Sequence, residues 1–223
     1  MKLATLLIAG AAAILLLSDC NKSSSSSNAS MKFQLKATSP LVVVNRAESG
    51  SILWTSGSAA ATQVKFEAKQ NGSQIELNSS SLQQIDLFAS VLANMGNISI
   101  PSGTYTEVEF KIELNQNGSN AAMELDGQYT SGTGVITPVV FSLNSLFELK
   151  AEQSNVVVTS NTSITTLTTL DLSFVSNGIT QALMNSAVVT NGKIIISASS
   201  NTNLYNIIIN NLSQFHHVDV SHH

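Results

Sequence analysis

Hydrophobic and polar residues alternate along Tyr105 to Asn115: Val108, Phe110, Ile112 and Leu114 fall on one face, and Glu107, Glu109, Lys111 and Glu113 on the other. A period of two belongs to a strand with one face in a core and the other in water, as in antiparallel sheets. Val64 to Lys69 repeats the pattern. Asn71-Gly72 interrupts it and Ile75 to Leu77 resumes it, which predicts a hairpin turn between two strands. Met123 to Tyr129 alternates with Glu124, Asp126 and Gln128 outward and stops at the turn-rich Ser131-Gly132-Thr133-Gly134.

Further strands are expected at Phe33–Ala37, Leu41–Val44, Val139–Leu143, Phe147–Ala151, Val156–Thr159, Ile164–Phe174 and Lys193–Ser197, the last after an Asn191-Gly192 turn. Pro138 lacks an N–H and places the start of its strand at an edge or a bulge. Helical patterning is confined to the C-terminal part. Asn177 is positioned to cap a helix over Ile179–Ala187, and Thr202 one in which Leu204, Ile208 and Leu212 recur every fourth residue. The β-branched run Ile207–Ile209 leaves a strand open as the alternative for the second segment. Many short strands separated by turn signals predict an all-β fold, an antiparallel β-sandwich with one or two short helices near the C-terminus.

The first residues follow a different pattern. A basic Lys2 precedes an apolar run from Leu3 to Leu17, shorter than the roughly 20 residues that span a bilayer, so a processed signal peptide is expected over a permanent anchor. Leu17-Ser18-Asp19-Cys20 then presents the only cysteine of the chain, followed by the serine-rich Asn21 to Ser30. This arrangement resembles a bacterial lipoprotein signal, in which the cysteine becomes the lipidated first residue. Asp19 stands where such signals usually carry a small residue, and an ordinary secretory leader is the alternative. The expected organisation is a signal peptide over 1–19, a flexible tether over 20–30, a β-sandwich domain over 31–215 and a His-rich tail over 216–223. One domain is the expectation at this length, with two small ones as the alternative.

Charge is scarce, at 11% of residues and a net −4, with Arg46 the sole arginine. Phosphate recognition needs clustered Lys and Arg, so nucleic acid is not an expected partner. Ser, Thr and Asn supply about a third of the chain and solvate a surface without charge, while 43% hydrophobic residues provide for a folded core. A lipid on Cys20 would consume the only thiol, leaving no disulfide, no cysteine nucleophile and no thiolate ligand.

All four histidines, His216, His217, His222 and His223, cluster at the C-terminus, so the domain lacks the usual general base and no catalytic residue is assigned. The histidines themselves are a metal-binding candidate, with Asp219 as a further ligand, although a tail lacks the supporting contacts of a dedicated site. Glu107, Glu109 and Glu113 would meet Glu124 or Asp126 if the next strand pairs beside theirs, offering carboxylates to Ca²⁺ or to an acid/base pair. The competing reading is a solvated face with Lys111 as counter-charge. Trp54, the sole tryptophan, and Tyr105 are candidate sugar-stacking rings, with Tyr129 and Tyr205 able to contribute; core packing is the alternative. The ligand-binding candidates are thus Trp54, Tyr105, Glu107, Glu109 and Glu124. No cofactor is expected.

Ile85-Asp86-Leu87-Phe88, followed by Ile98-Ser99-Ile100-Pro101-Ser102-Gly103-Thr104-Tyr105, is the most distinctive text in the chain. It resembles an uncharacterised family of bacterial envelope lipoproteins in which a Pro-x-Gly-Thr-Tyr motif leads into a long strand. Asn191-Gly192-Lys193-Ile194-Ile195-Ile196-Ser197, with Asn203-Leu204-Tyr205, resembles surface lipoproteins of Bacteroidetes-type bacteria. The resemblance implies a mainly β domain held to the outer membrane by a lipid, on the periplasmic or the surface side, with adhesion or carbohydrate binding as the expected role. Physically, Pro101 fixes φ and Gly103 permits a tight turn, so the motif itself reads as a strand-launching turn. The expectation is a non-enzymatic envelope protein that binds a glycan or another envelope protein. The alternative is a structural, adhesin or filament subunit assembling by strand addition, with the stretch before Phe33 or Val218-Asp219-Val220 as donor. A hydrolase using Glu107 or Glu124 is the third reading.

Overall fold

A computed structural model describes residues 28–38, 40–44, 50–214 and 218–222. The expected signal peptide, Cys20, most of the serine tract, His216, His217 and His223 lie outside the described residues. Among those described the chain runs β1 (Ala29–Thr38), β2 (Leu41–Val44), β3 (Gly50–Gln70), β4 (Ser73–Asp86), β5 (Asn97–Ile100), β6 (Gly103–Leu114), β7 (Met123–Thr130), β8 (Ile136–Leu143), β9 (Phe147–Val158) and β10 (Ser163–Asp171). Then come α1 (Leu172–Val175), α2 (Gln181–Asn185), β11 (Val189–Thr190), β12 (Lys193–Ile196), α3 (Thr202–Ser213) and β13 (Val218–His222).

The strands build two sheets, as the alternation requires. One has the order β13-β10-β1-β5; the other has β11-β12-β8-β7-β3-β6-β9, with β2 and β4 also on β3. Pairing is antiparallel except for β1 with β10 and β12 with β8. The sheets face each other across one core in which Phe33 of β1 meets Phe110 of β6 edge-on at 6.4 Å, and Phe66 of β3 contacts both Phe110 and Tyr105. Thr166 and Thr168 enter this core because β10 keeps its period of two; the Thr166 hydroxyl is satisfied by the Lys32 carbonyl at 3.1 Å.

β3 is the organising strand. On one edge it holds β7 along Ser51–Ala59 and then β6 along Ala61–Lys69; on the other it holds β2 and then β4. The handover falls at Ala60, whose N–H donates to Ala122 O and whose carbonyl accepts Asn115 N–H. β6 and β7 are therefore stacked end to end along one edge, not paired side by side. Leu87, fully buried, ties the sheets together: its N–H donates to Gly57 O in one and its carbonyl accepts Ala37 N–H in the other.

Several local expectations shift. The strand expected over Ile164–Phe174 stops at Asp171, whose carboxylate accepts the Ser173 N–H at 2.9 Å and turns the chain into α1. Phe147–Ala151 and Val156–Thr159 are parts of one strand, β9. Thr180, not Asn177, caps α2, accepting the Leu183 N–H at 3.2 Å. α3 is a helix with Leu204, Ile208 and Leu212 buried, but its N-cap is Asn201 in a left-handed conformation. The Asn201 amide instead clasps the carbonyls of Val188 and Ile195. The sheets also reach past 31–215 on both sides, because β1 starts at Ala29 and Val218–His222 pairs with β10. Pro138 sits on β8 just before the β12 ladder begins at Val139, where its missing N–H has no strand to serve. No helix of the described residues is long and apolar enough to cross a membrane.

Candidate functional site

The outer face of β3, β6 and β9 concentrates charge in a chain that has little. The register sets like charges in rows: Lys65, Lys111 and Lys150 in one, Glu67, Glu109 and Glu152 in the next, Glu113 and Glu148 in a third. Direct cross-strand neighbours would repel, so the ion pairs form along strands and on diagonals. Lys111 reaches Glu67 at 2.6 Å and Glu109 at 3.1 Å; Lys150 reaches Glu109 at 2.7 Å and Glu152 at 3.0 Å; Lys65 lies 3.5 Å from Glu113 and 3.4 Å from Glu148.

The proton affinities follow. Burial by itself would pull the Lys111 ammonium down, but hydrogen bonds to Glu67 and Glu109 and the charge of Glu148 outweigh it and raise its pKa. Burial would likewise push the Glu109 carboxyl up; hydrogen bonds from Lys150 and Lys111 overcome this and hold it below the usual range. Lys150 is pushed up to about 12 by its hydrogen bonds to Glu109 and Glu152.

Glu107 has φ +49 and sits at a β-bulge between Thr106 and Val108, an extra residue relative to β3, while the β9 ladder skips it without changing register. The extra residue lets Tyr105 and Val108 both face the core, where strict alternation would have turned one of them out. Beside the bulge, Glu107, Glu109, Glu152, Gln153 and Ser154 line a surface depression of about 400 Å³. Glu107 extends over it to bond Lys69 at 2.5 Å.

β9 is the outermost strand of this face. Its twelve residues make one ladder, to β6, and among the described residues no strand pairs with its other edge. Glu152 to Asn155 are exposed, and α3 packs against β9.

Of the residues singled out from sequence, Glu107 and Glu109 belong to this face with Glu113, but Glu124 and Asp126 do not. β6 and β7 follow one another along one edge of β3 instead of pairing, and Asp126 accepts the Ser56 hydroxyl at 3.3 Å. The expected meeting of these carboxylates does not occur, and no group of three or more His, Cys, Asp or Glu is placed to hold a metal among the described residues. The histidine candidates fall outside the described residues, apart from the backbone of His222 in β13.

The ring candidates are corrected too. Trp54 is 1% exposed and donates its indole N–H to the Ser176 hydroxyl at 3.3 Å; Tyr105 is 0% exposed. A ring enclosed by core offers no face to a sugar. Tyr129 is also buried, and Tyr205 stacks on Phe141 at 6.0 Å. Sequence reasoning missed Glu148, Lys150 and Glu152. Their signal was present as the alternation of Phe147, Leu149 and Ala151 with charged residues, but only strand pairing places them beside Glu109.

The other half of β3 presents a different surface. Leu41 and Val43 of β2 and Leu53 of β3 are exposed on it, with no charge in their rows. Comparisons of this chain with family models, curated proteins and solved structures give no match.

Proposed function

We propose that this chain is a non-enzymatic protein of the bacterial cell envelope, lipid-anchored through Cys20 and resembling the envelope lipoproteins named above. Its β-sandwich binds another envelope protein by taking an extended segment of that partner onto β9. The observation that carries this reading is the outer edge of β9, which pairs with no strand among the described residues and is exposed over Glu152 to Asn155. An unpaired edge offers a row of N–H and C=O groups that a strand can complete. The adjoining face holds Glu67, Glu107, Glu109, Glu113, Glu148 and Glu152 against Lys65, Lys69, Lys111 and Lys150, so the partner segment carries basic side chains.

Binding of a foreign strand is favoured over self-assembly because the described parts of both donor candidates, Ala29–Lys32 and Val218–Val220, are already paired within the chain. β1 lies between β10 and β5, and β13 lies on β10. The test is photo-crosslinking in cells, with a photoreactive residue at Gln153 on β9 or at Lys32 on the other sheet, alongside labelling with a fatty-acid analogue. The reading expects one discrete heterologous adduct at Gln153, none at Lys32, and loss of lipid label in Cys20→Ser. Adducts of the chain with itself at Gln153 would replace it with the filament reading, and an absence of adducts at Gln153 would remove the edge as the site.

A further inference from the structure

β4 is an outer strand too, on the edge of β3 opposite β6, because Gln63–Lys69 of β3 pairs with both. From Ser73 to Ser80 its ladder with β3 is regular; a bulge opposite Thr62 then ends the run. Among the described residues nothing hydrogen-bonds to the outward backbone of Ser73–Ser80, and none of these residues is buried. β5 and the turn at Gly96 lie against the core side of the strand at Ser79 without pairing to it. β2, β5, β11 and β13, also outer strands, have only two to five residues. Proteins guard a long edge with Lys, Pro, a bulge or a covering element. Ser73–Ser80 has no Lys, no Arg and no Pro, and its one charge is Glu76.

The edge itself selects its occupant. Ile75 and Leu77 pack on the rim of the core and stay half-exposed, so whatever covers them brings apolar side chains on the same face. Glu76 lies opposite Glu67 of β3, and Asn78 opposite Lys65. Glu67 has Lys111 as its partner; Glu76 and Asn78 make no hydrogen bond or ion pair among the described residues. An occupant therefore supplies an amide or a cation to Glu76 and an acceptor to Asn78. β4 carries both groups itself, two residues apart, with Leu77 between them. We propose that the edge is completed by a second copy of this chain, β4 against β4, antiparallel about a two-fold axis.

Opposed residues of an antiparallel pair lie on the same face, so apolar face meets apolar face only where odd residues oppose odd ones. Two such registers use the regular run most fully, Ser73–Ser79 on itself or Gln74–Ser80 on itself. The first opposes Glu76 to Glu76, a like-charge contact that destabilises. The second centres on Leu77: Leu77 meets Leu77, Ile75 meets Ser79, and the Asn78 amide of one copy donates to Glu76 of the other. A row across the seam then reads Glu67, Glu76, Asn78, Lys65, so the acidic side of one copy runs into the amide and cation of the next. No strand leaves its own sheet for this, and a two-fold pair closes without propagating.

The test is disulfide crosslinking and sedimentation equilibrium on the full-length chain in detergent, with Cys20→Ser so that introduced thiols are the only ones. Directly opposed Cα atoms lie about 4.5–5.5 Å apart, within disulfide reach. The proposal expects Leu77→Cys, on the axis, to form a covalent dimer at least tenfold faster than Glu76→Cys or Gln153→Cys. Without added thiols, Asn78→Glu should weaken the dimer at least tenfold, because it faces Glu76 of the other copy. Within its own chain that new carboxylate lies opposite Lys65, so native Trp54 emission should persist. Adding Glu76→Lys to Asn78→Glu should restore the dimer. Monomer at every concentration, faster crosslinking at Glu76 or Gln153, or a dimer indifferent to Asn78→Glu would each overturn it. β9 stays at the far end of each copy, so photo-crosslinking at Gln153 fails or succeeds separately.

Discussion

The Tyr105 hydroxyl donates to the Pro101 carbonyl at 2.6 Å, closing the Pro101-Ser102-Gly103-Thr104-Tyr105 turn from inside the core. Pro101 restricts the entry and Gly103 takes φ +154, where a Cβ would lie 2.0 Å from the Gln70 amide. The motif thus anchors the start of β6 against β3. Tyr105→Phe leaves that carbonyl without its internal donor and should cost about 1–2 kcal/mol, a fall of several degrees in melting temperature. Calorimetry of the variant checks it; an unchanged transition would show that the bond contributes nothing.

Gly127 of β7 sits opposite Trp54, beside the irregularity in the β3–β7 ladder. A Cβ there would stand 2.6 Å from the backbone carbonyl of Leu53 and 3.0 Å from the Trp54 ring. Neither neighbour can swing aside, so Gly127→Ala should destabilise by roughly 2 kcal/mol or more through strain in the β3–β7 ladder. Denaturant titration gives the figure, and a loss below about 0.5 kcal/mol would count against so tight an approach.

Trp54 is a single internal reporter. Its burial predicts native emission blue-shifted from that of the denatured chain, with weak quenching by iodide. Strong iodide quenching in the native state would place the ring at the surface after all.

The charged face predicts how stability depends on pH. Glu109 is held below its ordinary 4.5 in the folded state, so its contribution is present above that pH and lost as pH falls through the lowered value. Lys150 is raised from 10.5 to about 12, so its contribution is present below 10.5 and lost as pH rises through 12. Tyr105, raised from 10.0 by burial and only partly offset by a Gln70 hydrogen bond, adds to the alkaline loss. Melting temperature against pH should therefore fall at both ends. Glu109→Gln should flatten the acid limb at a cost of about 1 kcal/mol at neutral pH, the size typical of partly exposed pairs. An identical acid limb in the variant would remove Glu109 from the account.

Strand identity was legible wherever one face is wet and one dry. Tyr105 to Asn115, Met123 to Tyr129 and the Asn71-Gly72 turn announce themselves, the last with φ +50 and +78 as such a hairpin requires. β3 was read only in its second half, because Ser51 to Ala61 mixes small and hydroxylated residues whose burial comes from neighbours on both edges. The bulge at Glu107 shows in the sequence only as the three-residue step from Tyr105 to Val108, which a strand simply beginning at Val108 would give as well.

The sequence by itself determined the elements: alternation, turn residues and the four-residue repeat of Leu204, Ile208 and Leu212 are local, and local sterics and solvation suffice to read them. Tertiary structure alone decided which carboxylates meet, that Trp54 and Tyr105 are core, that the outer edge of β9 pairs with no strand among the described residues, and that Gln181 is buried beside Gly50. Those outcomes depend on strand order and register, which are fixed by long-range pairing across β3 and are not contained in any one segment.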